Sequence, residues 1–390
     1  MMKIAVLTAT RAEYGLLLPI IRQMNNDAQI EVRVVVTGAH LAPEFGNTYR
    51  EIEQDGIAID KKIEILDAGD GAIAVSKTIG NAIIRFADYF EKRRPDALMV
   101  LGDRYETLSV CLAAMNAQIP IIHLYGGETT QGAIDEAVRH SISKMSYLHF
   151  TSTDRYRKRV IQLGEMPDRV FSVGAIGVEN ASNLPLMTKT ELEKSLGFSL
   201  ESPYIVGTYH PVTLENETID LQINELLSAI ASKNNYTYII TKANADAGGR
   251  RINKMVEAFS DTHHNVHLVD SLGTKRYLSA LKYCRMVIGN SSSGITEVPS
   301  FHVPTINIGD RQKGRFHGDT VIDCGNDRKS ILEAIELGET EEFRQMCLKA
   351  ENPFEKPHVA ETIVSTIKQE MMDKPIDLKK EFYDISFGEV

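Results

Sequence analysis

Short apolar runs that do not alternate with polar residues recur along the chain, and most are followed by a stretch of helical periodicity. Val34-Val35-Val36 and Ile119-Pro120-Ile121-Ile122 contain no charged or hydrogen-bonding side chain. A strand with one wet face alternates; a strand covered on both faces does not need to, which is the habit of parallel sheets. Such runs predict strands at Lys3–Leu7, Glu31–Val36, Ala97–Leu101, Ile119–Leu124, Tyr147–Thr151 and Val170–Val173 in the first half. In the second half they predict Tyr204–Thr208, Tyr236–Thr241, Val266–Val269, Met286–Gly289 and Thr305–Ile308. Between them, Tyr14–Asn26 carries Leu17, Ile20, Ile21 and Met24 at helical spacing, and Ile134–Met145 carries Ile134, Val138, Ile142 and Met145. Strand–helix alternation of this kind specifies doubly wound α/β architecture.

The chain of 390 residues exceeds one ordinary core, and roughly 100–200 residues per domain favours two. The expected division is a Rossmann-like domain over residues 1–178, a second over 179–365, and a C-terminal helix and tail over 366–390. The join falls near Val178–Ser202, where Ser182-Asn183-Leu184-Pro185 and a polar helix form a connection. Val359–Met372 is predicted as a helix that packs back on the first domain. The expected whole is two Rossmann-like doubly wound domains facing a cleft.

Formal charge is −10, so the surface repels nucleic acid and anionic membrane, and neither is expected as a partner. No run approaches the ~18 apolar residues of a membrane span. The apolar segment after Met1-Met2-Lys3 is too short for a signal peptide and fits a first buried strand. Cys111, Cys284, Cys324 and Cys347 are scattered with no CxxC pair, which indicates reduced thiols, no structural zinc and a cytoplasmic protein.

Ligands of doubly wound sheets bind past the carboxyl ends of the strands, and those positions hold the unusual residues. Arg11, Arg104 and Arg311 each follow a strand closely and can fork onto phosphate, or form structural ion pairs. Asp103, Glu128 and Asp135 bring three carboxylates to two neighbouring strand ends, the raw material of acid–base chemistry. Asp135 and Arg139 stand four apart on a helix, which a surface ion pair would also explain. Asn290-Ser291-Ser292-Ser293-Gly294 offers open backbone N–H groups at a helix start, suited to phosphate or to plain serine capping. Glu297, one turn further on, suits ribose hydroxyls or a favourable first-turn charge. His210 before Pro211 suits proton transfer, a phosphate contact or simple packing. The chain has no GxGxxG after its first strand, no GxxxxGK[ST] and no GxSxG. It therefore lacks dinucleotide, P-loop and hydrolase-elbow signatures.

Read together, the strand-end segments resemble one family. They include Arg11-Ala12-Glu13-Tyr14, Gly38-Ala39-His40-Leu41, Gly46-Asn47-Thr48-Tyr49, Gly102-Asp103-Arg104 and Gly126-Gly127-Glu128. Arg139-His140-Ser141-Ile142-Ser143-Lys144, His210-Pro211-Val212-Thr213, Asp246-Ala247-Gly248, Gly289-Asn290-Ser291-Ser292 and Arg311-Gln312-Lys313-Gly314-Arg315 follow in order. The set resembles the hydrolysing UDP-N-acetylglucosamine 2-epimerases of sialic and related nonulosonic acid biosynthesis. That resemblance implies a glycosyltransferase-B-like fold with UDP between two domains. It implies conversion of UDP-N-acetylglucosamine and water to N-acetylmannosamine and UDP, through a 2-acetamidoglucal. No cofactor and no metal are implied, and a homodimer or homotetramer is.

By matching positions, the resemblance assigns catalytic or near-catalytic roles to Asp103, Asp135 and His210, with Arg139 supporting, and Glu128 stands beside them as a further catalytic candidate. UDP-sugar contacts fall on Arg11, His40, Arg104 and His210, and on Asn244, Leu272, Ser291, Ser292, Glu297 and Arg311. Tyr125 stands where several relatives carry a catalytic glutamate, so either Glu128 substitutes or the sugar differs. UDP-N,N'-diacetylbacillosamine is the alternative substrate, and a nucleotide-sugar-binding protein without catalysis the alternative class. Asp270 and Ser271 occupy a stretch that is basic in the animal enzyme, which argues against feedback by a CMP-sugar.

Overall fold

The computed structural model describes residues 1–69, 71–130, 134–200, 202–212, 215–243 and 248–386. The chain divides into two units. Unit 1 comprises Met1–Glu128, Asp135–Glu179 and Lys356–Val390; unit 2 comprises Thr129–Ile134 and Asn180–Glu355.

Unit 1 contains β1 (Met2–Thr8), β2 (Ile30–Thr37), β3 (Ile59–Ile63), β4 (Ala97–Leu101), β5 (Ile121–Leu124), β6 (Leu148–Thr151) and β7 (Val170–Ser172). All pair in parallel, in the order β3-β2-β1-β4-β5-β6-β7. The lack of alternation in the sequence has its cause here. Ile4 and Val6 enter one core with Leu17, Ile20 and Ile21, while Ala5 and Leu7 enter a second with Phe86 and Phe90 on the opposite face. None of these four β1 side chains is more than 3% exposed.

The helix after β1 spans Arg11–Asn25, three residues earlier than its apolar spacing suggests. A capping box sets that start: Thr10 Oγ1 accepts the Glu13 N–H, and Glu13 Oε2 accepts the Thr10 N–H at 3.2 Å and the Ala9 N–H at 2.7 Å. Arg11 is therefore the first helical residue, not part of a loop.

The chain returns to unit 1 at Lys356, upstream of residue 366, because the helix Val359–Met371 belongs wholly to this core. Val359, Ile363, Val364, Ile367 and Met371 pack in the cluster that holds Leu17 and Ile20. The Glu179 carboxylate caps the helix, accepting the N–H groups of Val359 at 2.9 Å and Ala360 at 3.0 Å. Beyond it, Lys380 Nζ donates to the carbonyls of Lys144 and Ser146 and lies 2.6 Å from Glu165.

Unit 2 contains β8 (Tyr204–Thr208), β9 (Thr237–Thr241), β10 (Val266–Val269), β11 (Met286–Gly289), β12 (Thr305–Ile308) and β13 (Val321–Cys324). These are also all parallel, in the order β10-β9-β8-β11-β12-β13. Ile205 faces one core and Tyr204 and Val206 the other. In each sheet the order reverses beside the first strand, between β1 and β4 and between β8 and β11.

The strands that apolar runs did not reveal, β3 and β13, each pair on one side only. An edge strand needs less apolar surface, and exposed lysines guard it against pairing with other chains. Lys61 and Lys62 of β3 are exposed accordingly. Among the described residues no helix is long and apolar enough to cross a membrane.

Candidate active site

A crevice opens past the strand ends wherever the order of an open parallel sheet reverses. In unit 1 the turns after β1 and β4 flank it. Gly102 adopts φ +81°, a left-handed conformation, and its N–H bonds to Leu124 O at 3.0 Å. This turn carries Asp103 and Arg104 away from the sheet. Arg104 forks onto Glu106 with Nε and Nη2 each 3.2 Å from a carboxylate oxygen, and Glu106 is buried. Arg11 Nε lies 2.9 Å from Glu51 Oε2, and its side chain keeps 37% of its exposure.

His40 is fully buried. Its Nε2 lies 2.9 Å from Thr8 Oγ1 and its Nδ1 2.8 Å from Thr48 Oγ1. Burial pushes its pKa down to about 4, so the ring is neutral at physiological pH. Both ring nitrogens of His40 have hydrogen-bond partners within the protein. It braces the end of β1 against the Asn47-Thr48 turn.

The Asp103 carboxylate meets the helix Asp135–Met145. Arg139, 2% exposed, pairs with the Asp103 carboxylate through Nη2 and with Glu136 through Nη1 at 3.2 Å. Burial pushes the guanidinium pKa down to about 10, still charged at neutral pH. From this helix Arg139 thus reaches Asp103 in the turn after β4. Asp135 opens the helix and is partly buried. Glu128 is 6% exposed and accepts the Ser152 hydroxyl at 3.0 Å. Its turn is tightly held: Gly127 has φ +78°, and a Cβ there would collide with the Tyr156 carbonyl. Tyr125, at φ +66°, spends its hydroxyl on the Ile176 N–H at 2.8 Å.

In unit 2 the turns after β8 and β11 flank the reversal. Gly289 has φ +133°, and a Cβ there would collide with the Thr208 carbonyl. The next residue, Asn290, is fully buried and clamps the two turns together. Its Oδ1 accepts the His210 N–H at 2.7 Å and its Nδ2 donates to His210 O at 2.8 Å. Its own carbonyl accepts Arg311 Nη1 at 3.1 Å and Gln312 Nε2 at 2.8 Å. His210 and Arg311, far apart in sequence, are thus brought to one residue.

The helix expected after Asn290-Ser291-Ser292 is a four-residue turn, Ser293–Thr296, which supplies little dipole. What remains for an anion is the loop itself: Ser292 is exposed, and Ser291 Oγ accepts the Ser293 N–H at 3.4 Å. Glu297 caps the C-terminal end of that turn and does not sit in a first helical turn. Burial pushes its carboxyl up to about 7, and Oε2 is buried with no hydrogen-bond partner among the described residues. Leu272, 3% exposed, precedes the helix Gly273–Tyr283. Asn244, and Thr213 of the His-Pro-Val-Thr segment, lie outside the described residues.

Two polar residues of these turns, Glu13 and Gln312, stood in the quoted motifs without an assigned role. Glu13 is buried, its pKa pushed up to about 7 by burial, with Oε1 unpartnered among the described residues. The Thr-x-x-Glu spacing at Thr10 was its visible signal. For Gln312 the signal was its place beside Arg311 in the segment after β12. Among the described residues no three His, Cys, Asp or Glu side chains gather to share a metal ion.

Residues 22–368 match the model of the family described as UDP-N-acetylglucosamine 2-epimerase. The chain is 44% identical over 344 residues to a GDP/UDP-N,N'-diacetylbacillosamine 2-epimerase (hydrolyzing) of Campylobacter jejuni, covering 88% of this chain and 89% of that one. It is 42% identical over 386 residues to polysialic acid biosynthesis protein P7 of Escherichia coli, covering 99% and 98%. Among solved structures it resembles a UDP-GlcNAc 2-epimerase from Neisseria meningitidis bound to UDP-GlcNAc. The TM-score is 0.80 at 19% identity, over 95% of this chain and 100% of that one. Two parallel doubly wound sheets, polar turns at both reversals and a family match spanning most of the sequence lead to one assignment: the chain belongs to the UDP-N-acetylglucosamine 2-epimerase family.

Proposed function

We propose that the protein is a hydrolysing UDP-sugar 2-epimerase that converts UDP-N-acetylglucosamine and water to N-acetylmannosamine and UDP, for sialic acid biosynthesis. The observation that carries this reading is the buried Arg139 holding the Asp103 carboxylate from the helix that Asp135 opens, with Glu128 buried in the turn after β5. Binding an anionic nucleotide does not call for three carboxylates; moving protons at C2 of a sugar does.

In the proposed sequence a base takes the C2 proton and the C1–O bond to UDP breaks in an anti elimination, leaving the 2-acetamidoglucal. Water then adds at C1 and a proton returns to C2 on the opposite face. Asp103 and Asp135 handle the two protons. Arg139 binds Asp103 through Oδ2, which fixes the carboxylate and leaves Oδ1 to meet the substrate. Glu128 is the third acid. His210, Ser291, Ser292 and Arg311 receive the departing pyrophosphate, with Glu297 on the ribose. Arg11 and Arg104 add positive charge. Stabilising charge as it develops on the leaving group is the larger part of the catalytic task.

The 44% identity to a diacetylbacillosamine enzyme favours a second reading, the same chemistry on UDP-N,N'-diacetylbacillosamine. Incubation with each UDP-sugar in D2O, followed by NMR, separates the two. Free 2-epimerised sugar with deuterium at C2 supports the hydrolysing reading and identifies the substrate. An equilibrium between two UDP-sugars, or no reaction with either, refutes it. The active form is proposed to be a homodimer or homotetramer, which light scattering measures.

A further inference from the structure

His123 touches neither a proposed catalytic group nor solvent, yet it lies where the three acid-bearing segments meet. It sits on β5 in register with Val100 of β4 and is fully buried. Its Nε2 lies 2.8 Å from the carbonyl oxygen of Gly102, the residue immediately before Asp103. Its Nδ1 lies 3.3 Å from Ser143 Oγ, also fully buried, on the helix that begins at Asp135. Gly126, at the foot of the Glu128 turn, packs against the same pair: a Cβ there would come 3.0 Å from Ser143 Oγ and 3.1 Å from His123 Nδ1.

The chemistry of the partners assigns the tautomer. A carbonyl only accepts, so Nε2 carries the hydrogen and donates to Gly102 O. A neutral ring has one N–H, so Nδ1 accepts from the Ser143 hydroxyl. Burial pushes the His123 pKa down to about 3, which keeps the ring in this single state. Gly102 needs the bond. Its left-handed turn swings the carbonyl out of the sheet ladder, and a buried carbonyl without a donor costs about 1–3 kcal/mol.

Ser143 and Arg139 stand four residues apart, on one face of one helix. Arg139 holds the Asp103 side chain directly. Ser143 holds the Asp103 main chain through His123 and Gly102 O. We propose that His123 is a positioning residue for the epimerase reaction: as an Nε2–H imidazole it locks Asp103, the Asp135 helix and the Glu128 turn into one arrangement. This inference rests on the hydrolysing epimerase reading for its consequence in catalysis, but not for the tautomer.

Two measurements test it. In 15N-histidine-labelled protein, the His123 ring is expected as an Nε2–H tautomer that does not titrate between about pH 5 and 8. An Nδ1–H tautomer, or titration in that range, overturns the proposal whatever the enzyme's substrate. In steady-state kinetics, His123→Leu is expected to lower kcat at least about tenfold, with KM and UDP affinity within about twofold of wild type. His123→Gln, whose amide reaches the Nε2 position and can donate to Gly102 O, is expected to recover most of that loss. Ser143→Ala, a milder change, is expected to lower kcat without changing KM, and serves if His123→Leu does not fold. A folded His123→Leu or Ser143→Ala enzyme with wild-type kcat overturns the proposal, as does His123→Gln no better than Leu. A wild-type enzyme inert towards every UDP-sugar refutes the functional reading instead.

Discussion

Replacing Asn290 with alanine tests whether one buried amide holds the turns of unit 2 together. The side chain makes two hydrogen bonds, to the N–H and the carbonyl of His210, at 2.7 and 2.8 Å. Alanine removes both, and a buried backbone group left unpaired costs about 1–3 kcal/mol. His210 is only partly buried, so water recovers part of the loss. The expected destabilisation is about 2–4 kcal/mol for the pair. At about 2–4 °C per kcal/mol for a domain of this size, the unit 2 transition should fall by roughly 4–16 °C. Scanning calorimetry measures it, with Ser292→Ala, at an exposed position, as control. The same variant should weaken UDP binding in titration calorimetry, because His210 and the Ser291-Ser292 loop lose their common anchor. Asn290→Asp should be worse: it keeps the acceptor for the His210 N–H but sets a carboxylate against a carbonyl. An Asn290→Ala protein within about 1 kcal/mol of wild type and with unchanged UDP affinity would refute the argument.

Further outcomes follow from other residues. Asp103→Asn keeps an acceptor for Arg139 but cannot take a proton; turnover should fall about 10²–10⁴-fold with UDP affinity kept, and full turnover would sink the assignment. Glu297 has a folded pKa raised to about 7 from an ordinary 4.5. Between those values the folded state holds a proton that the unfolded state has lost, so this group's contribution to stability declines as pH rises from about 4.5 to 7. Glu297→Gln should flatten that decline and gain up to about 3 kcal/mol at pH 8, measured by urea unfolding at pH 5 and 8. Lys380→Met removes a charge from the buried Glu165, which keeps Lys144 at 2.7 Å and His149 at 3.0 Å. With those partners left, unit 1 should lose about 1–3 kcal/mol, and no change in its melting would show the tail contact to be idle. Gly127→Ala should destabilise unit 1 and abolish turnover, since its Cβ would meet backbone as well as Val160 Cγ2 at 2.8 Å; a soluble, active variant would contradict it.

Much of the architecture was legible because buried parallel strands leave an unmistakable record: Val34-Val35-Val36 can be wet on neither face, and neither is. β3 left no such record, because its exposed Lys61 and Lys62 serve to keep an edge unpaired. Asp103 and Arg139 were legible as candidates but not as partners. Residues 36 apart in sequence meet only because β4 lies beside β5 and the following helix folds back over them. His40 was likewise legible as a candidate by its position after a strand, and only the fold shows Thr8 and Thr48 closing on both ring nitrogens. The helix after Asn290 was overestimated because serines that begin a helix and serines that begin a single turn look alike in sequence.

The insertion of unit 2 between two parts of unit 1 bears on how the protein is made. The core around Leu17 and Ile20 is incomplete until Val359, Ile363, Ile367 and Met371 arrive. At roughly 5–20 residues per second, the ribosome needs about 10–40 s to pass from the end of the second unit 1 segment to the last turn of that helix. Through that interval the first sheet leaves the tunnel with one apolar flank lacking its cover, while all of unit 2 emerges and can fold. The half that begins the sequence is thus the half that finishes last, and nascent chains stalled before residue 359 should engage chaperones more strongly than those stalled after residue 371.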